Sequence, residues 1–323
     1  MANIKDLSTL LLLLQLKILQ KKRKKSCLPE PCCSCCCPCP QPPPPPIVCN
    51  VLAYITNFDD DTVSVIDTAT NVVIATIPVD DRPFGVAIIP DGTRIYITNF
   101  GNNTVLVIDT VTNTVIATIP VGNGPLGIAI TPDGTRAYIA NQNTNMVSVI
   151  DTATNTVIST IPVGNLPEGV AITPNGTRAY ITNQISDTVS VIDTNTNTVI
   201  TTVLVGDQPQ GVAITPDGTR AYVTNTNSNN VSVINTSTNT VIATILVDIR
   251  PFNIAITPSG TRAYVTNQTS NTVSVIDTVT NTVITTVPVG NNPLGITVTP
   301  DGSRLYVANS DNNTVSVIDA VTD

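Results

Sequence analysis

The sequence predicts an all-β protein, a seven-bladed β-propeller in which each blade is a four-stranded antiparallel sheet. Two observations carry this prediction. The seven tyrosines of the 323-residue chain stand at a constant spacing of 42 residues, at positions 54, 96, 138, 180, 222, 264 and 306. Each 42-residue unit holds four short runs rich in Val, Ile and Thr, with Asn, Asp, Gly and Pro between them. Units of this length with four strands each are typical of propeller blades.

The four runs of a unit, named strands A to D from the channel outwards, follow a fixed order. Strand A is Gly-Ile-Ala-Ile, strand B holds the tyrosine, strand C is Val-Ser-Val-Ile and strand D is Thr-Val-Ile-Ala-Thr. Pro132-Asp133-Gly134 predicts a tight turn between A and B, since proline fixes φ and glycine accepts a positive φ. Strands apolar on successive residues need cover on both faces, which neighbouring blades supply. A straight solenoid is the alternative, but its units are usually shorter and need capping repeats.

The two ends of the repeat array are predicted to be incomplete. Seven B and seven C strands are present, but only six A and six D strands. Alignment on Tyr54 places residues 42–46, all proline, where the first strand A belongs, and proline has no N–H for a ladder. We therefore expect open edges in the first and last blades and an imperfect seam between them. Such an edge is able to bind a strand of another chain; alternatively, Ile47 to Cys49 covers it.

The repeated words resemble those of a known family. Tyr222-Val-Thr-Asn225, the Val147 to Thr152 run (Val-Ser-Val-Ile-Asp-Thr) and the Pro-Asp-Gly turn are similar to the YVTN family of β-propeller repeats, over about residues 51–323. The resemblance implies a prokaryotic surface-layer-type or surface-anchored propeller. Related propellers bind cofactors through histidines, and this chain has none, so those activities are not carried over. A lactonase-like propeller is a more distant analogy, with no catalytic constellation to map onto it.

Composition excludes several function classes. Without histidine the chain has no imidazole base, no Ser–His–Asp nucleophile and no histidine metal ligand. Residues 1–46 carry seven basic and two acidic side chains (+5), whereas residues 47–323 carry eight arginines, no lysine and 21 acids (−13). A body this acidic repels phosphate backbones, so no nucleic-acid partner is expected. We predict no enzyme activity, no cofactor and no metal site.

The candidate binding residues lie on one predicted face. The A–B and C–D turns barely vary between units, whereas the B–C and D–A connections vary and share a face, which indicates a functional surface. All four phenylalanines belong to it, two of them in Arg-Pro-Phe triplets. We interpret them as exposed aromatics beside arginines; alternatively, each caps a gap between blades. The candidates are Phe58, Arg82, Phe84, Phe100, Glu168, Gln210, Arg250 and Phe252. Calcium binding by Asp59 to Asp61 is a further alternative.

Six arginines, each two residues before a tyrosine, are expected to be structural instead, paired with the aspartate of a nearby turn. They are Arg94, Arg136, Arg178, Arg220, Arg262 and Arg304. The tyrosine ring likewise predicts packing with the hydroxyl groups satisfied.

The segment before the repeats has two predicted parts. Residues 1–26 form an apolar and basic helical leader, too short in its apolar run to span a bilayer. Its basic residues follow the apolar run, so no cleavable signal peptide is predicted. We expect interfacial membrane contact of residues 4–25 or self-association. Residues 27–46 form a cysteine-rich and polyproline spacer. The cysteines serve intermolecular cross-linking, lipidation or soft-metal capture; they are Cys27, Cys32, Cys33, Cys35, Cys36, Cys37 and Cys39.

Together these features predict three segments: leader 1–26, spacer 27–46 and propeller 47–323. We expect a non-enzymatic scaffold displayed at the cell surface or envelope, for instance a spore surface. It binds a protein or glycan through the variable face. The alternatives are a lactonase-like or metal-assisted hydrolase that uses Asp, Glu and Arg at that face, and a purely structural envelope or spore-coat component.

Overall fold

The computed structural model describes residues 51–320 and the backbone of residues 17–20. Apart from two short 3-10 helices (Gln142–Thr144 and Ser310–Asn312), the regular structure of these residues is β-strand. In chain order the strands of the leader and the first four blades are β1 (Lys17–Gln20), β2 (Val51–Asn57), β3 (Thr62–Asp67), β4 (Val72–Pro78), β5 (Pro83–Ile88), β6 (Arg94–Asn99), β7 (Thr104–Asp109), β8 (Thr114–Pro120), β9 (Pro125–Ile130), β10 (Arg136–Asn141), β11 (Met146–Asp151), β12 (Thr156–Pro162), β13 (Pro167–Ile172), β14 (Arg178–Asn183), β15 (Thr188–Asp193) and β16 (Thr198–Leu204). The last three blades comprise β17 (Pro209–Ile214), β18 (Arg220–Asn225), β19 (Asn230–Asn235), β20 (Thr240–Leu246), β21 (Pro251–Ile256), β22 (Arg262–Asn267), β23 (Thr272–Asp277), β24 (Thr282–Pro288), β25 (Pro293–Val298), β26 (Arg304–Asn309) and β27 (Thr314–Asp319).

The strands form seven antiparallel sheets, and the predicted seven-bladed propeller is confirmed. Blades 2 to 6 each contain four consecutive strands, from β5–β8 to β21–β24. The repeats give the first blade β2–β4 and the last blade β25–β27, three strands each, as predicted. The A strands β5, β9, β13, β17, β21 and β25 contact one another in that order around the centre. They line the channel, and the D strands lie at the circumference.

The hydrophobic core is divided among the interfaces between blades. The interface of blades 1 and 2, for example, packs Tyr54 and Val65 of the first blade against Val86 and Ile97 of the second. A similar cluster joins the last blade to the first through Tyr306, Ala308 and Ile55. Each sheet is therefore covered on both faces by its neighbours, which explains why the strands are apolar on successive residues.

The threonine and asparagine that recur after the tyrosine of strand B, as in Tyr222-Val-Thr-Asn225, make specific contacts. In blade 5 the Thr224 hydroxyl accepts a hydrogen bond from the backbone N–H of Gly211 at 2.8 Å. It also donates to the carbonyl oxygen of Phe252 in the next blade at 2.7 Å. The Asn225 side-chain amide donates to Ser232 on strand C at 2.9 Å. The threonine thus fixes the spacing of neighbouring A strands at the channel, whereas the asparagine fixes the B–C hairpin.

The six regularly spaced arginines are structural, as predicted, but each donates a hydrogen bond from Nη1 to a backbone carbonyl group of the next blade. Arg94 donates from Nη1 to the carbonyl oxygen of Thr152 in the next blade at 2.8 Å, and Arg304 reaches Thr68 of the first blade in the same way. The turn prediction is confirmed: Gly134 adopts φ 74°, a conformation that side chains with a Cβ disfavour.

The leader differs from the prediction where the structure describes it. Residues 17–20 form strand β1, not part of a helix, and pair antiparallel with β2, with Lys17 opposite Tyr54 and Gln20 opposite Val51. The inner edge of β2 presents unpaired backbone groups, and β1 satisfies them. Since β1 also lies beside β5 and β25, it takes the channel position that strand A occupies elsewhere. The expectation that this edge stays open is therefore wrong, whereas the alternative that Ile47 to Cys49 covers it lies outside the described residues. Residues 1–16 and 21–50, with all the cysteines, lie outside the described residues.

The outer edge of the last blade has no strand beyond β27 among the described residues. The effect is visible at Val317, which is 40% exposed, whereas the equivalent Val275 of blade 6 is fully buried under strand D. Within residues 51–320 the outer edge of β27 is therefore unpaired, as predicted.

Candidate functional site

The B–C and D–A connections form one face of the propeller, named here the loop face, where the channel narrows to a ring of side chains. The second residue of each A strand points into this ring, and its side chain is buried in every case. The members of this mouth ring, one from each of blades 2 to 7, are Phe84, Leu126, Glu168, Gln210, Phe252 and Leu294. Four of the eight candidate residues predicted from the sequence therefore lie in this one ring.

The phenylalanines close most of the mouth. Phe58, Phe84 and Phe252 pack with Leu126 and Leu294 in a single cluster, and Phe100 joins its edge. The rings of Phe58 and Phe100 lie 6.5 Å apart between centroids, tilted by 43°. These contacts run across the channel between non-adjacent blades. The prediction of exposed aromatics is wrong for Phe58, Phe84 and Phe252, which are 7%, 2% and 6% exposed, because they pack together with Leu126 and Leu294 in this cluster.

Glu168 and Gln210 interrupt this apolar plug on one side. They come from adjacent blades, and between them and the phenylalanines lies a cavity of about 40 Å³. The cavity is lined by Phe84, Glu168, Gly169, Val170, Gln210, Gly211, Val212, Phe252 and Asn253. A volume of this size holds a few water molecules or the tip of a side chain. The mouth is therefore a shallow polar recess in an otherwise apolar plug.

Glu168 is the distinctive group of this recess. Its side chain is 7% exposed, and its carboxyl group forms no hydrogen bond or ion pair with any described residue. Burial raises the pKa of Glu168 to about 8 because the charged form loses hydration without gaining a partner. At neutral pH the free protein therefore carries mostly a protonated carboxyl here. Buried acids without partners are uncommon in protein interiors.

The neighbouring amides are held in different ways. The Oε1 atom of Gln210 accepts a hydrogen bond from the Thr226 hydroxyl at 2.8 Å, which orients the amide. Asn253 occupies a position at which the other A strands of blades 2 to 7 have glycine, and its Oδ1 accepts from the N–H of Ile254 at 2.8 Å. Asn253 and Thr226 were not among the predicted residues. Asn253 was identifiable from the sequence, because it is the one residue other than glycine at this position of the aligned repeats.

The two candidate arginines lie at the rim and do not line the cavity. Both occupy left-handed backbone conformations in D–A loops, with φ 57° at Arg82 and 59° at Arg250. The side chain of Arg82 lies 3.8 Å from Asp81, and both side chains are about half exposed. Arg250 donates from Nε to Gln268 at 3.4 Å. The structure therefore separates these arginines from Glu168 and places them as an outer rim.

Aspartate and asparagine side chains of the B–C loops hold the D–A loops in place. Asp61 accepts a hydrogen bond from the backbone N–H of Arg82 at 2.9 Å, and Asn229 accepts one from Arg250 at 2.8 Å. Asp61, the last residue of the acidic run that begins at Asp59, thus has a structural role. Within residues 51–320 no group of three acidic or sulfur ligands is close enough to hold a metal ion.

A larger cavity of about 210 Å³ lies on the opposite face, among the A–B and C–D turns of blades 5 and 6. Its lining consists of turn residues that recur in the other blades, such as Asp217 and Arg220. Ser259 also lines it, at a position where the other turns have Asp or Asn. The small side chain of Ser259 therefore accounts for this cavity. None of the residues that line it has a buried polar side-chain atom without a hydrogen-bond partner.

Comparisons with known proteins agree with the geometry. A family model described as "Lactonase, 7-bladed beta-propeller" matches residues 86–246, just under half of the chain. The chain is a β-propeller protein. The matched segment of this propeller contains Glu168 and Gln210. Among solved structures, one described as Kuenenia stuttgartiensis Hydrazine Synthase is similar to it, with 25% identity and a TM-score of 0.78, covering 84% of this chain and 93% of that one.

A search of curated proteins finds no match to this propeller. In contrast, 1573 chains of solved structures match it. A fold shared this widely supports many functions, so the function of this chain has to be argued from its own mouth residues. No helix of the described part of the chain has the length and apolar content needed to cross a membrane.

Proposed function

We propose that this propeller is a non-enzymatic binding scaffold whose ligand, a protein or glycan, contacts the loop face at the channel mouth. The observation that carries the proposal is Glu168, a buried acid without a partner among the described residues, at a position that varies between otherwise copied repeats. A ligand group that enters the recess would give this carboxyl the partner that the fold leaves out.

The backbone of the loop face supports a binding role. The D–A loops place bulky residues in left-handed conformations, namely Arg82, Leu166, Gln208 and Arg250. Such conformations cost roughly 1–2 kcal/mol for residues other than glycine and asparagine, and strained residues cluster at functional sites. The strain in these loops is consistent with selection for their side chains as contact groups.

The proposal is tested by probing protein and glycan arrays with the full chain. The double variant Phe84→Leu and Phe252→Leu keeps the plug apolar and changes the free energy of unfolding by about 1–2 kcal/mol, but it alters the shape of the mouth and abolishes capture of the ligand. Ile200→Val, on an exposed outer strand, serves as control and leaves capture unchanged. Equal capture by the wild type and the double variant would contradict binding at the mouth.

A second candidate function is a lactonase-like hydrolase, which the family match over residues 86–246 favours. The geometry argues against it, since about 40 Å³ is far below the ~300–1,000 Å³ of ordinary small-molecule sites. Glu168 is also the only titratable group that lines the cavity, and its raised pKa leaves it mostly protonated, and so unavailable as a general base, at neutral pH. Hydrolysis of γ- and δ-lactones that disappears in Glu168→Gln, measured by acid release, would favour the hydrolase over the scaffold.

Surface display through the cysteine-rich segment belongs to the same proposal. The Tyr-Val-Thr-Asn words, similar to YVTN repeats, support a surface-anchored propeller, with the spacer of residues 27–46 as its cross-linking or lipidation segment. Gels of native material with and without thiol test the cross-link. Bands of high mass that collapse to a monomer with thiol support disulfide cross-linking, and bands that persist argue against it.

A further inference from the structure

The buried carboxyl group in the channel mouth has no partner among the described residues, and a ligand group that enters the recess would supply one. Glu168 is more than nine-tenths buried, faces the cavity with Gln210 and Asn253, and is bonded to none of the described residues. A charged carboxylate in such a place is strongly disfavoured unless a positive group or several donors reach it. The chemistry of the cavity wall indicates which group fits.

The residues that line the cavity favour a positively charged ligand group. Glu168 is the only ionisable residue among those that line it, and its carboxyl becomes negative when a cation enters; the phenylalanines Phe84 and Phe252 complete the wall. Aromatic faces carry partial negative charge and attract cations, most strongly where water is excluded. An anion or a second acid would instead be repelled by the same carboxyl and rings.

No positive side chain among residues 51–320 reaches the carboxyl from the strands packed around it. Strands β9 and β17 carry no basic residue. Arg136 at the start of β10 and Arg178 at the start of β14 donate to Thr194 and Thr236 at the opposite face. Asp187 of the adjacent B–C loop accepts from the N–H of Gln208 at 3.0 Å and does not line the cavity. The carboxyl is therefore free to pair with an incoming cation.

We infer that the recess binds a primary ammonium group, the tip of a lysine side chain presented by a protein partner. This inference rests on the proposed function and names the group recognised there. One carboxylate with two amides supplies too few oxygens for calcium or magnesium, which take six or more. A cavity of about 40 Å³ admits an ammonium group on an unbranched stem. It excludes the amino group of an amino sugar, which is attached directly to a bulky ring.

The pH dependence of binding follows from the same geometry. The pKa of Glu168 is raised to about 8 by burial, so below that pH the cation has to displace a proton. Affinity for a lysine probe then increases with pH up to about 8, and decreases again as the amine loses its proton near ~10. At pH 7 binding therefore releases up to one proton per site.

The experiment is calorimetric titration of the full chain with N-acetyl-lysine methylamide at pH 7, in buffers of different ionisation enthalpy. The expected result is binding with proton release. In Glu168→Gln we expect affinity at least tenfold lower and no proton release. The probe acetylated at Nζ, which keeps the stem and removes the charge, and glucosamine are both expected not to bind. Ile200→Val, on the exposed outer strand of blade 4 and remote from the mouth ring, is the control variant and changes affinity less than twofold.

Three results would overturn the inference: equal affinity of the wild type and Glu168→Gln for the lysine probe, equal affinity for the acetylated probe, or binding of glucosamine alone. Melting temperatures of both variants show that they fold. Failure of the inference is distinguishable from failure of the proposed function. If capture of an array ligand requires Phe84 and Phe252 but not Glu168, the proposed binding function is supported, whereas the inferred ammonium site is wrong.

Discussion

The hydroxyl group of Tyr306 in the last blade donates a hydrogen bond to Oδ1 of Asn71 in the first blade, at 2.7 Å. The same link joins a tyrosine to an asparagine 59 residues later in four other places, for example Tyr222 to Asn281 at 2.7 Å. Tyr306 therefore closes the ring with the contact that elsewhere joins consecutive blades. The equivalent pair Tyr54 and Asn113 is buried, but neither the hydroxyl nor Oδ1 finds a partner among the described residues.

This contrast predicts different costs for one substitution at equivalent positions. Tyr306→Phe removes the hydroxyl group that donates to Oδ1 of Asn71 and decreases the free energy of unfolding by about 0.5–1.5 kcal/mol, the net contribution of one hydrogen bond. Tyr54→Phe removes a hydroxyl without a partner and leaves the stability unchanged or slightly higher. Denaturant unfolding of both variants and of Tyr222→Phe checks this. Equal losses at 54 and 306 would show that the ring-closing bond does not contribute.

The sequence was sufficient for the propeller, the turns and the shared face because each rests on a local or periodic feature. The 42-residue spacing determines the blades, and the glycine of Pro-Asp-Gly determines the turn. The identity of strand β1 was not predictable in this way. Lys17 pairs with Tyr54 across a connection that breaks the repeat spacing, so the alignment placed prolines there and the apolar run resembled a helix.

The candidate site was only partly predictable for a similar reason. Comparison of the repeats placed Glu168, Gln210 and the phenylalanines on one face. Whether Phe84 and Phe252 are exposed depends on packing across the channel, between residues more than 160 positions apart in the chain, which no local pattern encodes. The isolation of Glu168 follows from the same long-range packing, and only the structure gives it.

The strained D–A loops predict a stabilising substitution. Leu166 adopts φ 52°, and the equivalent residue of the last blade is Asn292 at φ 51°. Asparagine tolerates this left-handed conformation better than leucine, so we expect Leu166→Asn to increase the free energy of unfolding by about 0.5–1 kcal/mol. Denaturant unfolding measures it. Asn292→Leu is the matched reverse variant and is expected to be destabilised to a similar extent, whereas a loss of stability in Leu166→Asn would contradict the argument.

The open edge of β27 predicts that an added strand stabilises the last blade. Fusion of Asn-Thr-Val-Ile-Ala-Thr-Ile-Pro after Asp323 supplies the outer strand and covers Val317, which adds about 1–2 kcal/mol and raises the melting temperature by a few degrees. Thermal unfolding followed by circular dichroism is the measurement. A fusion of equal length with proline at alternate positions, which cannot pair, is the control. Equal melting temperatures for the two fusions would mean that the edge does not accept a strand.

The raised pKa of Glu168 predicts a decrease in stability with increasing pH. In the unfolded chain a glutamate ionises near ~4.3, whereas in the folded protein its pKa is about 8. Between these values the unfolded state binds fewer protons than the folded state, so the free energy of unfolding decreases as pH increases and levels off above about 8. Glu168→Gln removes this dependence. It matches the wild type at pH 4 and is more stable by a few kcal/mol, to order of magnitude, at pH 8–9.

Asp217 provides the control of opposite sign. Hydrogen bonds from Thr215 and Thr219 lower its pKa, so its contribution is present at neutral pH and is lost as pH falls through the lowered value. Asp217→Asn should therefore differ from the wild type by a constant amount from pH 5 to 9. Denaturant unfolding of the wild type, Glu168→Gln and Asp217→Asn over this range gives the dependence of the free energy of unfolding on pH for each protein. A Glu168→Gln curve parallel to that of the wild type would show that the carboxyl is hydrated or paired in solution, and the unpartnered acid would no longer support a binding site.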